Sequence, residues 1–180
     1  MTYTIIGISS SLSGQSRSQI LVEYAVQRTA QITGQQGRIV DLNVLSADGL
    51  LARRSDADVT EALTQVTHAR IVIVGTPIYR ATYAGQLKVF FDLLPQNGLR
   101  GVVVGSIATG AGSGHLLAID HGLRPLIASL GGLSTAHNVY VTDGAFPDKS
   151  RIPDEIGASV DTLTDELIAV AQAYTHTRGE

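Results

Sequence analysis

The chain has no cysteine and no tryptophan, an aromatic share of 5% and a charged share of 16%. Without cysteine there is no disulfide scaffold, no thiolate nucleophile and no iron–sulfur or zinc–thiolate site. With so few rings, the core must be filled by aliphatic side chains. No apolar run reaches the ~18–20 residues that a membrane span requires, so no membrane partner is expected. Basic clusters are missing as well: the net charge is −3, and Arg53-Arg54, followed by acids, is the only adjacent basic pair. A nucleic-acid face needs grouped Lys and Arg to neutralise phosphates, so no nucleic acid is expected either. The amino terminus MTYTIIGISS lacks a basic flank, a long apolar core and a cleavage site. No signal peptide is expected, and a cytoplasmic location follows as the expectation.

What the chain does contain is apolar and periodic. Hydrophobic residues make up 44% of 180, enough for one real core. No repeat, low-complexity tract or linker interrupts it, so one domain over residues 1–180 is expected. Tyr3 to Gly7 reads as a first strand, Ser9 to Gln15 as a small-residue loop, and the stretch from Ser16 as a helix with Ile20, Leu21, Tyr24 and Ala25 on one face. Gly34 to Gly37 ends that helix, and Arg38 to Leu42 reads as a second strand, completing a β-α-β unit with parallel strands. Asn43 to Ser55 reads as irregular loop and Asp58 to His68 as a helix.

Ile71 to Val74 is an unbroken β-branched run, a strand buried on both faces. Gly75-Thr76-Pro77 is expected to stop it, because proline has no N–H for a ladder. Ile78 to Gly85 would then be a loop, before a helix over Gln86 to Leu94. Gly101 to Ala108 reads as a fourth strand, Thr109 to Gly114 as a glycine-rich turn, His115 to Leu130 as a helix and Leu133 to Val141 as a fifth strand. Pro125 lies inside that helix and its ring would clash with the carbonyl of His121, so a kink or π-type bulge is expected near Asp120 to Arg124. A loop with Pro147 and Pro153 leads to a last helix, Asp154 to Tyr174, and the tail THTRGE is expected to fray. Five strands alternating with helices specify a doubly wound α/β domain, a flavodoxin-like three-layer sandwich with a parallel sheet of order 2-1-3-4-5.

Ligands of open parallel sheets bind outside the carboxyl ends of the strands. Three loops leave such ends here. In the first, backbone N–H groups at a helix N-terminus favour an anion, Ser16 and Ser18 add hydroxyls, and Arg17 can clamp a phosphate. Serines before a helix are also ordinary N-caps, and the loop is neither GxGxxG nor GK(S/T). In the second, Tyr79 can stack on a planar ligand. In the third, Thr109, Gly110 and Ala111 allow close backbone approach. His115 and His121 are six residues apart, which is not a helical metal pair, so no metal is expected. His68, His137 and His176 read as surface or packing residues.

The stretch TPIYRATYAGQLKVFFDLLP, Thr76 to Pro95, resembles the signature of the NAD(P)H-dependent FMN reductases. Among them it is most similar to the reductase components of two-component sulfonate monooxygenase systems. Ser9 and Ser16-Arg17-Ser18 resemble that family's phosphate loop, with Ser10 where the family usually has proline. ATGAG, Ala108 to Gly112, resembles the family's ATGG, with Ala111 replacing the second glycine. The resemblance implies that Thr76, Pro77, Ile78 and Tyr79 pack along the isoalloxazine of FMN. Arg80 would be either a solvent-facing charge or a nicotinamide-phosphate contact. His121 stands where relatives carry an aromatic residue at a helical bulge, a candidate for stacking against a flavin or a partner subunit. The helix Gln86 to Leu94, with Phe90 and Phe91, resembles the family's dimerising helix, implying a homodimer or tetramer. The activity implied is hydride transfer from NADPH or NADH to FMN N5, with reduced FMN passed to a flavin-dependent monooxygenase. Two other readings stay open: a reductase of quinones or azo dyes that retains its FMN, and a non-enzymatic electron carrier.

Overall fold

The computed structural model describes residues 4–174. Tyr3, the THTRGE tail and His176 lie outside the described residues. Three strands form the centre: β1 (Thr4–Ser9), β3 (Ile71–Tyr79) and β5 (Val103–Gly110), buried along almost their whole length. With β2 (Gln36–Asp41) and β6 (Leu133–Ser134) they make a parallel sheet of order β2-β1-β3-β5-β6. Counted as crossover strands, this is the expected order 2-1-3-4-5.

Side chains alternate between the two faces, as the period of a strand requires. Ile5, Ile71, Ile73 and Val103 pack under α1 (Arg17–Thr33) and α6 (Asp154–Ala173), meeting Leu21, Leu163 and Leu167. Ile6, Ile8, Val72, Val74 and Val104 pack against the opposite layer, made by α3 (Ala57–His68), α4 (Gly85–Asp92) and α5 (Arg124–Ser129). Gly75 lets α1 come close: a Cβ there would lie 2.3 Å from Val22 Cγ2 and 3.0 Å from the Ser18 carbonyl. That approach brings the start of α1 over the carboxyl edge of the sheet.

The structure corrects several sequence expectations. Pro77 does not stop β3, which runs on to Tyr79 with Pro77 opposite Thr109. The Gly75 carbonyl accepts from Ser10, so alternation turns the Pro77 nitrogen to the side that β1 has already left. No ladder bond is lost there. The chain then folds back as β4 (Thr82–Tyr83), antiparallel to β3, so Ile78 to Gly85 is a hairpin and not an irregular loop. The segment after β2 contains a short helix, α2 (Ala47–Leu50), capped by Ser46. Phe90 and Phe91 point into the core and are 0% and 1% exposed.

The expected fourth helix is in pieces. A 3-10 turn at Ser113–His115 is followed by a π-helical turn at Ile119–Leu123, just ahead of Pro125. The widened turn accommodates the missing proline N–H. The fifth strand is also split, into β6 and β7 (Val139–Thr142), both paired with β5. Between the segments, side chains replace the ladder. Arg124 donates to the Thr135 and Ala136 carbonyls at 2.7 and 2.6 Å, and Glu166 accepts from the Ala136 and His137 amides at 2.7 and 2.8 Å.

Candidate active site

The carboxyl ends of β1, β3, β5 and β7 surround a cleft of about 290 Å³. Its first wall is the loop after β1. There the Ser10 amide and hydroxyl both donate to the Gly75 carbonyl, at 3.1 and 2.9 Å, tying the loop to β3. Ser16 caps α1, its Oγ accepting from the Gln19 amide at 3.1 Å. Ser16 and Arg17 line the cleft, joined by Ser11 and Ser13. Ser18 is fully buried beneath it, its hydroxyl 3.1 Å from that of Ser16. Ser9 is buried too, with a hydroxyl that has no partner among the described residues.

Arg17 reaches across the cleft mouth. Its Nε donates to the Phe146 carbonyl, and its Nη1 lies 3.2 Å from Asp143 Oδ1. Asp143 and Lys149, from the segment between β7 and α6, complete this end. Sequence reading missed both residues. The signal available was positional: a fifth strand ending at the same sheet edge must send a fourth loop over it.

Pro77, Ile78 and Tyr79 form the middle wall, with Tyr79 43% exposed. Thr76 is not part of it. It is fully buried, and its hydroxyl accepts from the Ala84 amide at 3.0 Å, pinning the hairpin to the start of α4. Arg80 is exposed at the hairpin tip and outside the cleft lining. Both tip residues are left-handed, Arg80 at φ 52° and Ala81 at φ 69°, as a tight two-residue hairpin turn demands.

Thr109, Gly110 and Ala111 form the far wall. Glycine at 110 answers to Tyr140, because a Cβ there would stand 2.5 Å from the tyrosine hydroxyl. That hydroxyl donates to the Gly112 carbonyl at 2.6 Å. Burial, and then the Asp143 carboxylate, raise the Tyr140 pKa above the usual tyrosine value. His121 sits exposed in the π turn, away from the cleft lining and beside β4, where Gly122 packs on Thr82 and Tyr83.

The donor set fits a phosphorylated planar heterocycle. Serine hydroxyls and two cations stand at one end, an apolar strip with one aromatic ring in the middle, and a small-residue strand end opposite. The profile described as NADPH-dependent FMN reductase matches residues 3–146. The chain belongs to that family. It is 34% identical over 177 residues to "FMN reductase (NADPH)" of Escherichia coli strain K12, covering 97% of this chain and 91% of that one. It is 31% identical over 172 residues to "NADH-dependent FMN reductase SfnF" of Pseudomonas putida, covering 93% and 92%. Among solved structures, that of an NADH:FMN oxidoreductase (EMOB) in its apo form superposes with a TM-score of 0.87 at 32% identity, covering 98% of this chain and 92% of that one. As a member of the FMN reductase family the protein is an oxidoreductase whose redox pair is FMN and NAD(P)H. Ser10 gives this loop a bond that a proline could not, because its amide donates to the Gly75 carbonyl.

Proposed function

We propose that this protein transfers hydride from NADH or NADPH to FMN and delivers the reduced FMN to a flavin-dependent monooxygenase, acting as a homodimer or tetramer. The observation that carries the reading is the polarity of the cleft, cationic and hydroxyl-rich at the α1 end and apolar along Pro77, Ile78 and Tyr79. Bound FMN would supply the chemistry, its N5 accepting hydride from nicotinamide C4.

The chain's own residues then bind and orient. Ser16 and Arg17, at the helix N-terminus, would hold the phosphate together with Lys149. Pro77, Ile78 and Tyr79 would lie along the ring system, and Thr109 to Ala111 would border its other edge. Among the described residues, Asp143 is the one carboxylate lining the cleft, and it faces Arg17. No acid–base pair is needed, because positioning two rings supplies most of the rate. Relatives named for NADPH and for NADH are similar to this chain to nearly the same degree, so both nicotinamides are proposed as donors.

The test is oxidation of NADH and NADPH by the desalted protein, with and without added FMN. Turnover that depends on added FMN, with sequential kinetics, is the expected result. A yellow protein that turns over unaided by a ping-pong scheme would replace this reading with the FMN-retaining quinone or azo reductase. No oxidation under either condition would remove both. Delivery is tested separately, by adding a flavin-dependent monooxygenase and measuring product against NAD(P)H consumed.

A further inference from the structure

We propose that Asp143 is an internal competitor for the phosphate of FMN, and so sets how readily this protein lets flavin go. The inference rests on the reading that FMN occupies this cleft.

Helix α1 has no acidic residue in its first turn. The positive charge gathered there, the helix N-terminus plus Arg17, is met by a carboxylate from a distant element, with Asp143 Oδ1 3.2 Å from Arg17 Nη1. The two partners differ in exposure and in anchoring. Arg17 is only 23% exposed and is anchored through Nε to the carbonyl of fully buried Phe146. Asp143 is 51% exposed, on a 3-10 turn, Asp143–Ala145, that follows β7 directly. The cation has a second anchor, and the anion is the more open to solvent of the two.

A carboxylate oxygen on an arginine fork is the same kind of partner as a phosphate oxygen. A phosphate monoester carries about −1.5 to −2 charges at neutral pH, and it cannot share the fork with Asp143 without repulsion. FMN must therefore displace Asp143 from Arg17 or bind beside a like charge. Lys149 lines the same end and makes no ion pair among the described residues, so it offers charge that Asp143 does not cancel. The Asp143 field is felt across the cleft end, since it contributes to the upward shift of the Tyr140 hydroxyl. The balance is a site that selects the phosphate but holds it less tightly than the same cleft with a neutral residue at 143.

The experiment is a fluorescence-quenching titration of FMN and of riboflavin, which has no phosphate, against the wild type, Asp143→Asn, Asp143→Ser and Asp143→Glu. The neutral variants should bind FMN about fivefold to tenfold more tightly, the scale of one exposed ion pair with its added repulsion. Riboflavin affinity should stay within about twofold, and Asp143→Glu should resemble the wild type. Two neutral variants guard against one that fails to fold. FMN binding that is unchanged or weaker in a folded neutral variant overturns the inference. Equal tightening of riboflavin also overturns it, because Asp143 would then act on the ring end. A wild type that binds neither flavin sinks the proposed function itself. A wild type that binds FMN with unresponsive variants removes Asp143 alone.

Discussion

Tyr140 closes over Gly110: its hydroxyl lies 2.5 Å from where a Cβ on residue 110 would stand, while donating to the Gly112 carbonyl at 2.6 Å. One bond thus joins β7 to the turn after β5 and leaves no room for a Cβ at residue 110 unless the Tyr140 hydroxyl shifts. Gly110→Ala should cost about 1–3 kcal/mol through overpacking, and Tyr140→Phe about 1 kcal/mol through the lost bond. The double variant, which removes the obstructing oxygen, should recover part of the Gly110→Ala cost. Urea unfolding of the three variants measures that coupling, and strict additivity would refute the contact.

Alkaline stability should depend on Tyr24. Its hydroxyl donates to Asp161 Oδ1 at 2.8 Å between α1 and α6. That bond, then burial and the Asp161 charge, raise the Tyr24 pKa above the usual 10.0, with Arg28 opposing. The proton is needed for the bond, and the folded pKa exceeds the unfolded one. The contribution is therefore complete below the unfolded value of 10.0 and disappears as pH climbs through the folded value. Urea midpoints from about pH 8 to about pH 11 should fall more steeply in the wild type than in Tyr24→Phe.

The hairpin tip stores strain. Ala81, at φ 69°, has a Cβ that disfavours the left-handed region by about 1–2 kcal/mol. Ala81→Gly should raise the melting temperature, offset in part by the entropy glycine adds to the unfolded chain. Ala81→Val should lower it. A stability order with valine above alanine would contradict the turn geometry.

Ser10 separates two losses that act on one acceptor. Ser10→Ala removes the hydroxyl bond to Gly75 and should cost about 1 kcal/mol. Ser10→Pro removes the amide donor as well, leaving a buried carbonyl with neither partner, and should cost more. Chemical denaturation ranks the two, and equal stability would show that the loop re-forms around proline.

Much of the fold was legible because its signals are local. β-branched runs placed the buried strands, helical periods placed α1, α3 and α6, and the clash of Pro125 with the turn before it located the π turn within a residue. Errors arose where a local rule met a tertiary exception. Pro77 reads as a strand breaker, yet its nitrogen faces a side that β1 has vacated. Leu133 to Val141 reads as one strand, yet Arg124 and Glu166 take over its hydrogen bonding in the middle.

The candidate site divides in the same way. Ser16, Arg17, Pro77, Ile78, Tyr79, Thr109, Gly110 and Ala111 stand together around the cleft. Ser9, Ser18 and Thr76 support it from beneath, and Arg80 and His121 lie outside its lining. Loop composition at strand ends identifies which segments border the cleft, but not which side chains line it.

The amino-acid sequence alone determined the α/β alternation and the family, since the first is written in short-range periodicity and the second in one contiguous motif. The tertiary structure alone decided that Asp143 faces Arg17, that Tyr140 overlies Gly110 and that Glu166 splits the last strand. The physical reason is range. Apolar patterning repeats every two or four residues and is readable along the chain. A polar side chain takes its partner from whatever the packed elements bring within about 3 Å, however far apart the two lie in sequence.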